Sequence, residues 1–231
     1  MRTIFKRRSF IALIAILLPA GLSAQEEPPK VGFIRLVNAV GAGTGNVHLK
    51  IDGQDRYPKG YKLGERTGGI GLAPGAKKIA ISKDGVEEGT TTFTVEQGET
   101  VSLIAFSEKI PADKDKPEHW AIKILRLKQR DTENSFRLTV LSMCDEPETI
   151  FSYQREADKE KTMSSVKRLM TTTIELGKSA GDVNLYARDK ETLLSFFRPD
   201  MKGNYVVMFY NDAEGAVKAI FFYDPKFVVA G

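Results

Sequence analysis

The sequence predicts an all-β protein: two tandem antiparallel β-sandwich (Ig-like) modules behind a cleaved signal peptide. Three observations carry this. Apolar residues recur with a period of two in short runs divided by Gly, Asp and Pro turns, and the first half holds no sustained apolar stripe at helical spacing. The same ordered set of runs occurs twice. The first 24 residues have the layout of an export signal.

The repeat is read from four pairs of segments. IRL (Ile34–Leu36), IAISKD (Ile79–Asp84), GETVSLIAF (Gly98–Phe106) and AIKILRL (Ala121–Leu127) are answered in order by FRL (Phe136–Leu138), VNLYARD (Val183–Asp189), GNYVVMFY (Gly203–Tyr210) and VKAIFFY (Val217–Tyr223). The first three offsets are 102, 104 and 105 residues. The offset then falls where the hydrophilic Glu108–His119 stretch (EKIPADKDKPEH) is replaced by the shorter NDAEGA.

In the leader, Arg2, Lys6, Arg7 and Arg8 form a positive region, Phe10–Leu18 is apolar, and Gly21, Ser23 and Ala24 offer a cleavage site. The apolar run is shorter than the roughly 20 residues a membrane span needs. Arg7-Arg8-Ser9-Phe10-Ile11 resembles a twin-arginine signal, but the apolar character of the run suits the general secretory (Sec) route better than Tat. No cysteine follows to take a lipid anchor. The expected location is periplasmic or secreted, with no membrane span in the mature chain. Residues 1–24 are then the signal peptide, 25–30 (QEEPPK) a polar tether, 31–130 the first module and 135–231 the second. The charged stretch KQRDTEN (Lys128–Asn134) separates the modules.

The whole chain carries a formal charge of +4, all of it in the leader, which leaves 30 basic against 30 acidic residues. A balanced chain lacks the basic surface needed to neutralise some 6–10 phosphates, so nucleic acid is not an expected partner. Cys144 is the only cysteine. With Asp145 and Glu146 beside it and the apolar LTVLSM before it, it reads as a small buried hydrophobe rather than a reactive thiol.

Gly32–Ala39 reads as a strand by its β-branched and aromatic content. Val47, Leu49 and Ile51 alternate with His48, Lys50 and Asp52, the pattern of a strand with one wet face. Asp52-Gly53 and Asp84-Gly85 read as tight turns. Phe93 and Val95, then Val101, Leu103 and Ala105, continue the alternation. In the second module Arg155–Lys161 (READKEK) is polar, and Thr162–Met170 reads as a continuation of that loop rather than a helical turn. The alternation returns at Ile174, Leu176, Val183 and Leu185. YVVMFY and AIFFY are apolar on both faces, which suits strands lying centrally or where the modules meet.

Chemistry-bearing motifs are few. Gly41-Ala42-Gly43-Thr44-Gly45 runs into a strand, not a helix, so it reads as an inter-strand loop and not a phosphate cradle. His48 lies on a wet strand face and His119 opens a strand, with no elbow or zinc-pair motif around either. Asp145, Glu146 and Glu148 are metal candidates, as are Asp113 and Asp115, but none has the oxygen spacing of a calcium loop. No cofactor is expected. Tyr57 and Tyr61, flanking a Pro/Gly turn in RYPKGYK, are the weak candidates for a binding site, because exposed aromatics give large contact area at low entropic cost. Trp120 shares a face with Ile122 and Ile124 and is expected in the core.

FIRLVNAVGAGTGNVHLKIDGQ, GLAPGAKKIAISKDG and FTVEQGETVSLIAF together resemble a secreted bacterial β-sandwich family described only as a domain of unknown function. Asn38-Ala39 stands where a His-Ala pair is commoner, and the S-P-D-A-P segment that usually follows is absent. The resemblance spans about 75 residues and rests on fold-forming positions, so it implies fold and export. The tandem order also resembles the family of periplasmic alginate O-acetylation accessory proteins, through Phe136–Val140 and Val183–Ala187 (VNLYA). That resemblance implies an accessory role in exopolysaccharide modification and supplies no catalytic residues.

The expected function is therefore that of a non-enzymatic exported cell-envelope interaction or accessory protein, an adaptor in exopolysaccharide modification or secretion, whose partner is an envelope protein or a polysaccharide. The alternatives are direct glycan binding through Tyr57 and Tyr61, and an enzyme whose site the sequence does not reveal.

Overall fold

A computed structural model describes residues 30–129, 134–212 and 214–225. The expected signal peptide, the tether up to residue 29, most of the inter-module stretch and residues 226–231 lie outside these. The described residues are all-β, with no α-helix. The first half contains β1 (Gly32–Ala39), β2 (Thr44–Ile51), β3 (Gln54–Asp55), β4 (Ile70–Leu72), β5 (Gly75–Asp84), β6 (Val86–Val95), β7 (Thr100–Ile110) and β8 (His119–Lys128). The second contains β9 (Phe136–Ser142), β10 (Glu148–Arg155), β11 (Thr162–Lys167), β12 (Thr171–Gly177), β13 (Val183–Tyr186), β14 (Leu193–Phe197), β15 (Gly203–Asn211) and β16 (Val217–Tyr223).

The strand order is the same in both halves. The first runs β3-β2-β5-β6-β8-β7-β1-β4, and the second runs β11-β10-β13-β14 and β12-β9-β15-β16, so every strand has its counterpart eight places later. Ladder registers correct the offsets that local likeness suggests. Ile34 pairs with Val101 and Leu138 with Tyr205; His48 pairs with Ser82 and Ser152 with Tyr186. All four correspondences run at a single offset of 104 residues. An offset of 105 would put Val101, which faces the first core, on Val206, which faces away from the second. A one-residue slip exchanges the faces of a strand. The last strand of each half follows at 95, since Ala105 pairs with Ile124 and Phe209 with Ala219.

The sheets are not purely antiparallel, because β1 lies parallel to β7 and β9 parallel to β15. The intervening strands supply the long crossover that a parallel pair requires. Thr162–Met170 is not a loop: Thr162–Lys167 is β11, paired along β10, and the hairpin loop is the polar stretch before it. Asp52-Gly53 and Asp84-Gly85 do make two-residue turns, closed by Ile51–Gln54 and Lys83–Val86.

Each half encloses a core between two layers. In the first, Val47, Leu49, Ile79 and Ile81 from one layer meet Ile34, Leu36, Leu103 and Ile122 from the other. A single parallel pairing, Glu87 with Ala121, joins the layers edge to edge into one curled sheet. Gly89 permits this contact, since a Cβ there would stand 2.5 Å from the Ile122 carbonyl oxygen. In the second half the equivalent edges, β14 and β16, meet through stacked rings, Phe197 and Phe221 at 4.2 Å, and two separate four-stranded sheets remain. Cys144 is buried at this core's margin, where burial raises its thiol pKa.

A third core joins the halves. Val37, Ala39, Ile104 and Phe106 on the outer face of β1 and β7 pack with Leu141, Met143, Val206, Met208, Tyr210, Ile220 and Phe222 of the second half. Here the runs that are apolar on both faces find their second partner. Each fully buried side chain of this size contributes on the order of 1.5–3 kcal/mol. Ion pairs also cross this seam, among them Arg35–Asp224 and Arg168–Glu108.

Candidate functional site

Equivalent strands should present equivalent surfaces unless one copy has been put to another use. The sheet β3-β2-β5-β6 turns its inner side to the core through Val47, Leu49, Ile79 and Ile81, so His48, Lys50, Lys78, Ser82, Thr90 and Thr92 lie on the outer side. That side is polar. In β11-β10-β13-β14 the corresponding outer row runs Met163–Ser152–Tyr186–Leu193 across the four strands, and Asn184 pairs with Phe196 beside it. Met163, Leu193 and Phe196 are 45%, 52% and 55% exposed. The register sets Tyr186 at the place of Ser82 and Phe196 at the place of Thr90. The Lys161 ammonium stands 3.5 Å from the centre of the Tyr186 ring, a cation–π contact, and donates to the Lys190 carbonyl. Within this row Ser152 is fully buried, and its hydroxyl has no partner among the described residues.

A second feature is a cleft of about 340 Å³ at one end of the seam. Gly41, Ala42, Gly43, Ser107 and Trp120 of the first half line it opposite Met143, Asp145, Asn211 and Asp212 of the second. At Gly41 the halves approach closely, since a Cβ there would stand 2.6 Å from the Asn211 carbonyl oxygen. The glycine run thus serves close backbone approach, in keeping with its reading as an inter-strand loop. The Ala42 N–H donates to Ser107 Oγ (3.2 Å). Asn211 is fixed at both ends: its Oδ1 accepts from the Asp145 N–H (2.9 Å) and its Nδ2 donates to the Gly215 carbonyl (2.9 Å). Asp212 accepts from the Ala216 and Glu214 N–H groups and lies 3.6 Å from Lys218 Nζ.

Trp120 corrects the expectation that placed it in the core. It pairs with Lys109 near the start of β8, beyond the last layer of the first core, and stands half-buried against the cleft. Tyr57 and Tyr61 do not act as an exposed pair. Their rings are 5.3 Å apart and tilted by 41°, and only Tyr57 is exposed. Tyr61 exchanges backbone hydrogen bonds with Val47 and packs on the first core, and burial raises its pKa. Among the described residues no group of three or more His, Cys, Asp or Glu side chains is placed to hold a metal ion. Of the three weak candidates, Asp145 lines the cleft, Glu148 accepts from Ser165 Oγ (2.6 Å), and Glu146 is an exposed neighbour. Asp113 caps its own loop by accepting from the Asp115 and Lys116 N–H groups. The histidines are both engaged in surface pairs, His48 with Asp55 and His119 with Glu87.

Leu193 and Phe196 are not among the candidates that the sequence singles out. The signal was present in LLSFF (Leu193–Phe197), whose apolar residues are too many for one buried face.

No family model matches the chain, and no curated protein matches it. Among solved structures the chain is similar to "The Bacillus anthracis TIE protein", at 10% identity and a TM-score of 0.26, over 79% of this chain and 50% of that one. The chain thus spans half the length of that structure, and the likeness carries no argument about activity. Among the described residues no helix is long and apolar enough to cross a membrane.

Proposed function

We propose that this is an exported, non-enzymatic interaction protein of the cell envelope, which holds a partner protein on the outer face of β11-β10-β13-β14. The observation that carries the reading is the divergence of two equivalent faces, polar in the first half and apolar around Met163, Tyr186, Leu193 and Phe196 in the second. Surplus apolar surface on one copy of a duplicated sheet has no folding purpose, and contiguous exposed apolar patches mark interaction sites. The occupant is a polypeptide rather than a glycan. Thioether, leucine and phenylalanine side chains offer no hydrogen bonds, so sugar hydroxyls laid over them would lose their water unpaired. Tyr186 under Lys161 gives the patch an aromatic anchor with one positive charge. An adaptor role in exopolysaccharide modification or secretion fits such a surface together with the export leader expected from the sequence.

The test places a photo-crosslinking residue at position 196 and recovers adducts from intact envelopes. One discrete adduct, lost when Leu193→Ser and Met163→Ser are added to the crosslinking chain, is the expected result. Absence of any discrete adduct, or one that persists in the doubly substituted chain, rejects the reading.

A further inference from the structure

We propose that the cleft at the seam is a saccharide site, which takes one or two uncharged sugar rings stacked on Trp120. This rests on the cleft alone and not on the partner-binding face. A volume of about 340 Å³ lies at the lower end of pockets that enclose small ligands, and junctions between folded units are where such pockets occur.

The lining selects the ligand's chemistry. Trp120 is a half-buried ring on one wall, whereas Phe106 and Tyr210 are 4% and 8% exposed and committed to the seam core. One ring makes a platform rather than a cage, which suits the flat apolar face of a pyranose better than a quaternary cation needing several aromatic walls. The opposite wall is polar. Asn211 is held between Gly215 and the Asp145 N–H, and Asp212 by its own loop, while the Asp145 carboxylate is exposed on the cleft with only its backbone N–H engaged among the described contacts. A carboxylate fixed through its backbone accepts two vicinal hydroxyls, and Ser107 Oγ, already accepting from Ala42, has its proton left to donate. An apolar ligand would strip water from Asp145 without return. Anionic ligands are disfavoured as well, because Asp145 and Asp212 line the cleft and no Lys or Arg does so among the described residues. The site therefore discriminates against uronates and phosphates.

Trp120 is the only tryptophan of the chain, so its fluorescence reports on this cleft without interference. The mature protein is titrated with methyl glucoside, methyl mannoside, N-acetylglucosamine and their disaccharides, and separately with glucuronate and tetramethylammonium. At least one uncharged sugar should give a saturable change, with glucuronate weaker by about tenfold or more. Asp145→Ala should weaken sugar binding by at least about tenfold, the effect of losing a hydrogen bond to a charged acceptor. Asp145 is exposed, so that variant keeps its fold, and Phe196→Ser should leave the titration unchanged. A flat response to every sugar, saturation by tetramethylammonium or glucuronate instead, or an undiminished response in Asp145→Ala each overturns the assignment.

Discussion

Arg35 on β1 and Asp224, one residue past β16, meet across the seam with Nη1 and Oδ1 3.4 Å apart and side chains only 4% and 2% exposed. The guanidinium also donates to the Tyr223 carbonyl (3.2 Å) and lies 5.0 Å from the centre of the Phe222 ring. Removing one member of a buried pair is strongly destabilising, by about 3–5 kcal/mol. Asp224→Ala should therefore lower unfolding stability by that much in a denaturant titration. The double variant Arg35→Met/Asp224→Leu, which removes both charges, should recover most of it. A loss under about 1 kcal/mol for Asp224→Ala would be that of an exposed pair and would contradict the burial seen here.

The same carboxyl has a pH signature. Burial lifts the Asp224 pKa above its ordinary 3.8, and the charge of Arg35 only partly opposes this. The folded chain then holds that proton more tightly than the unfolded chain. Its contribution to stability is full below 3.8 and is lost as pH rises through the higher folded value. Carboxyl-observed NMR should find Asp224 titrating above 3.8, and a midpoint below 3.8 would show the ion pair overriding burial.

A shared core couples the halves in unfolding. Met208 and Phe222 are fully buried in the seam cluster, against Val37, Ile104 and Phe106. Far-UV circular dichroism, which sees both halves, and Trp120 fluorescence, which sees the seam end of the first half, should give coincident transitions. Met208→Ala should cost about 2–5 kcal/mol while keeping them coincident. Met208→Lys, which buries an unpaired charge in the seam alone, should separate them.

Gly41 and Gly68 make a matched contrast within one glycine-rich half. A Cβ at residue 41 would meet the Asn211 carbonyl oxygen at 2.6 Å, whereas at residue 68 it would meet nothing within 4 Å. Backbone cannot yield as a side-chain tip does, so Gly41→Ala should destabilise by about 1–3 kcal/mol. Gly68→Ala should be neutral or stabilising by up to about 1 kcal/mol. Equal denaturation midpoints for the two variants would show that the halves do not close on Gly41.

Strands with their own alternation were legible in the sequence. Gly32–Ala39 is predicted and observed with the same limits, and the doubly apolar YVVMFY and AIFFY runs pointed to the seam that β15 and β16 form. Strands whose state is imposed by a neighbour were not legible. β11 (TMSSVK) contributes a single core residue, Val166, and is a strand because β10 offers it a ladder. The repeat was visible, but its offset was fixed only by pairing, since local likeness tolerates a slip that the alternation of faces does not. The cleft had no local signal at all. Trp120, Asp145 and Asn211 come together only because the two halves pack, and Trp120 was misassigned because the core ends one residue pair before it.

His119 and Glu87 supply the last prediction. Glu87 Oε2 accepts from His119 Nε2 (2.8 Å), while Nδ1 lies 3.0 Å from the Pro117 carbonyl oxygen. Both neighbours are acceptors, so the two contacts are satisfied together only when the ring is an imidazolium. The Pro117 carbonyl first and then the Glu87 carboxylate raise the His119 pKa above 6.5, and the same contact, with Lys116, lowers that of Glu87. The pair pins the loop before β8 to the edge of β6, where Lys116 also reaches Glu87 (3.1 Å). For a histidine whose folded pKa is raised, the stabilisation is fully present below 6.5 and disappears as pH rises through the folded value. Proton NMR of the His119 ring should therefore give a midpoint above 6.5, moving back toward 6.5 in Glu87→Gln, while amide exchange in Asp113–Glu118 speeds up on the alkaline side of that midpoint. A His119 midpoint at or below 6.5, or one indifferent to Glu87→Gln, would mean that the loop is held by Asp113 and its backbone N–H donors without the His119–Glu87 pair.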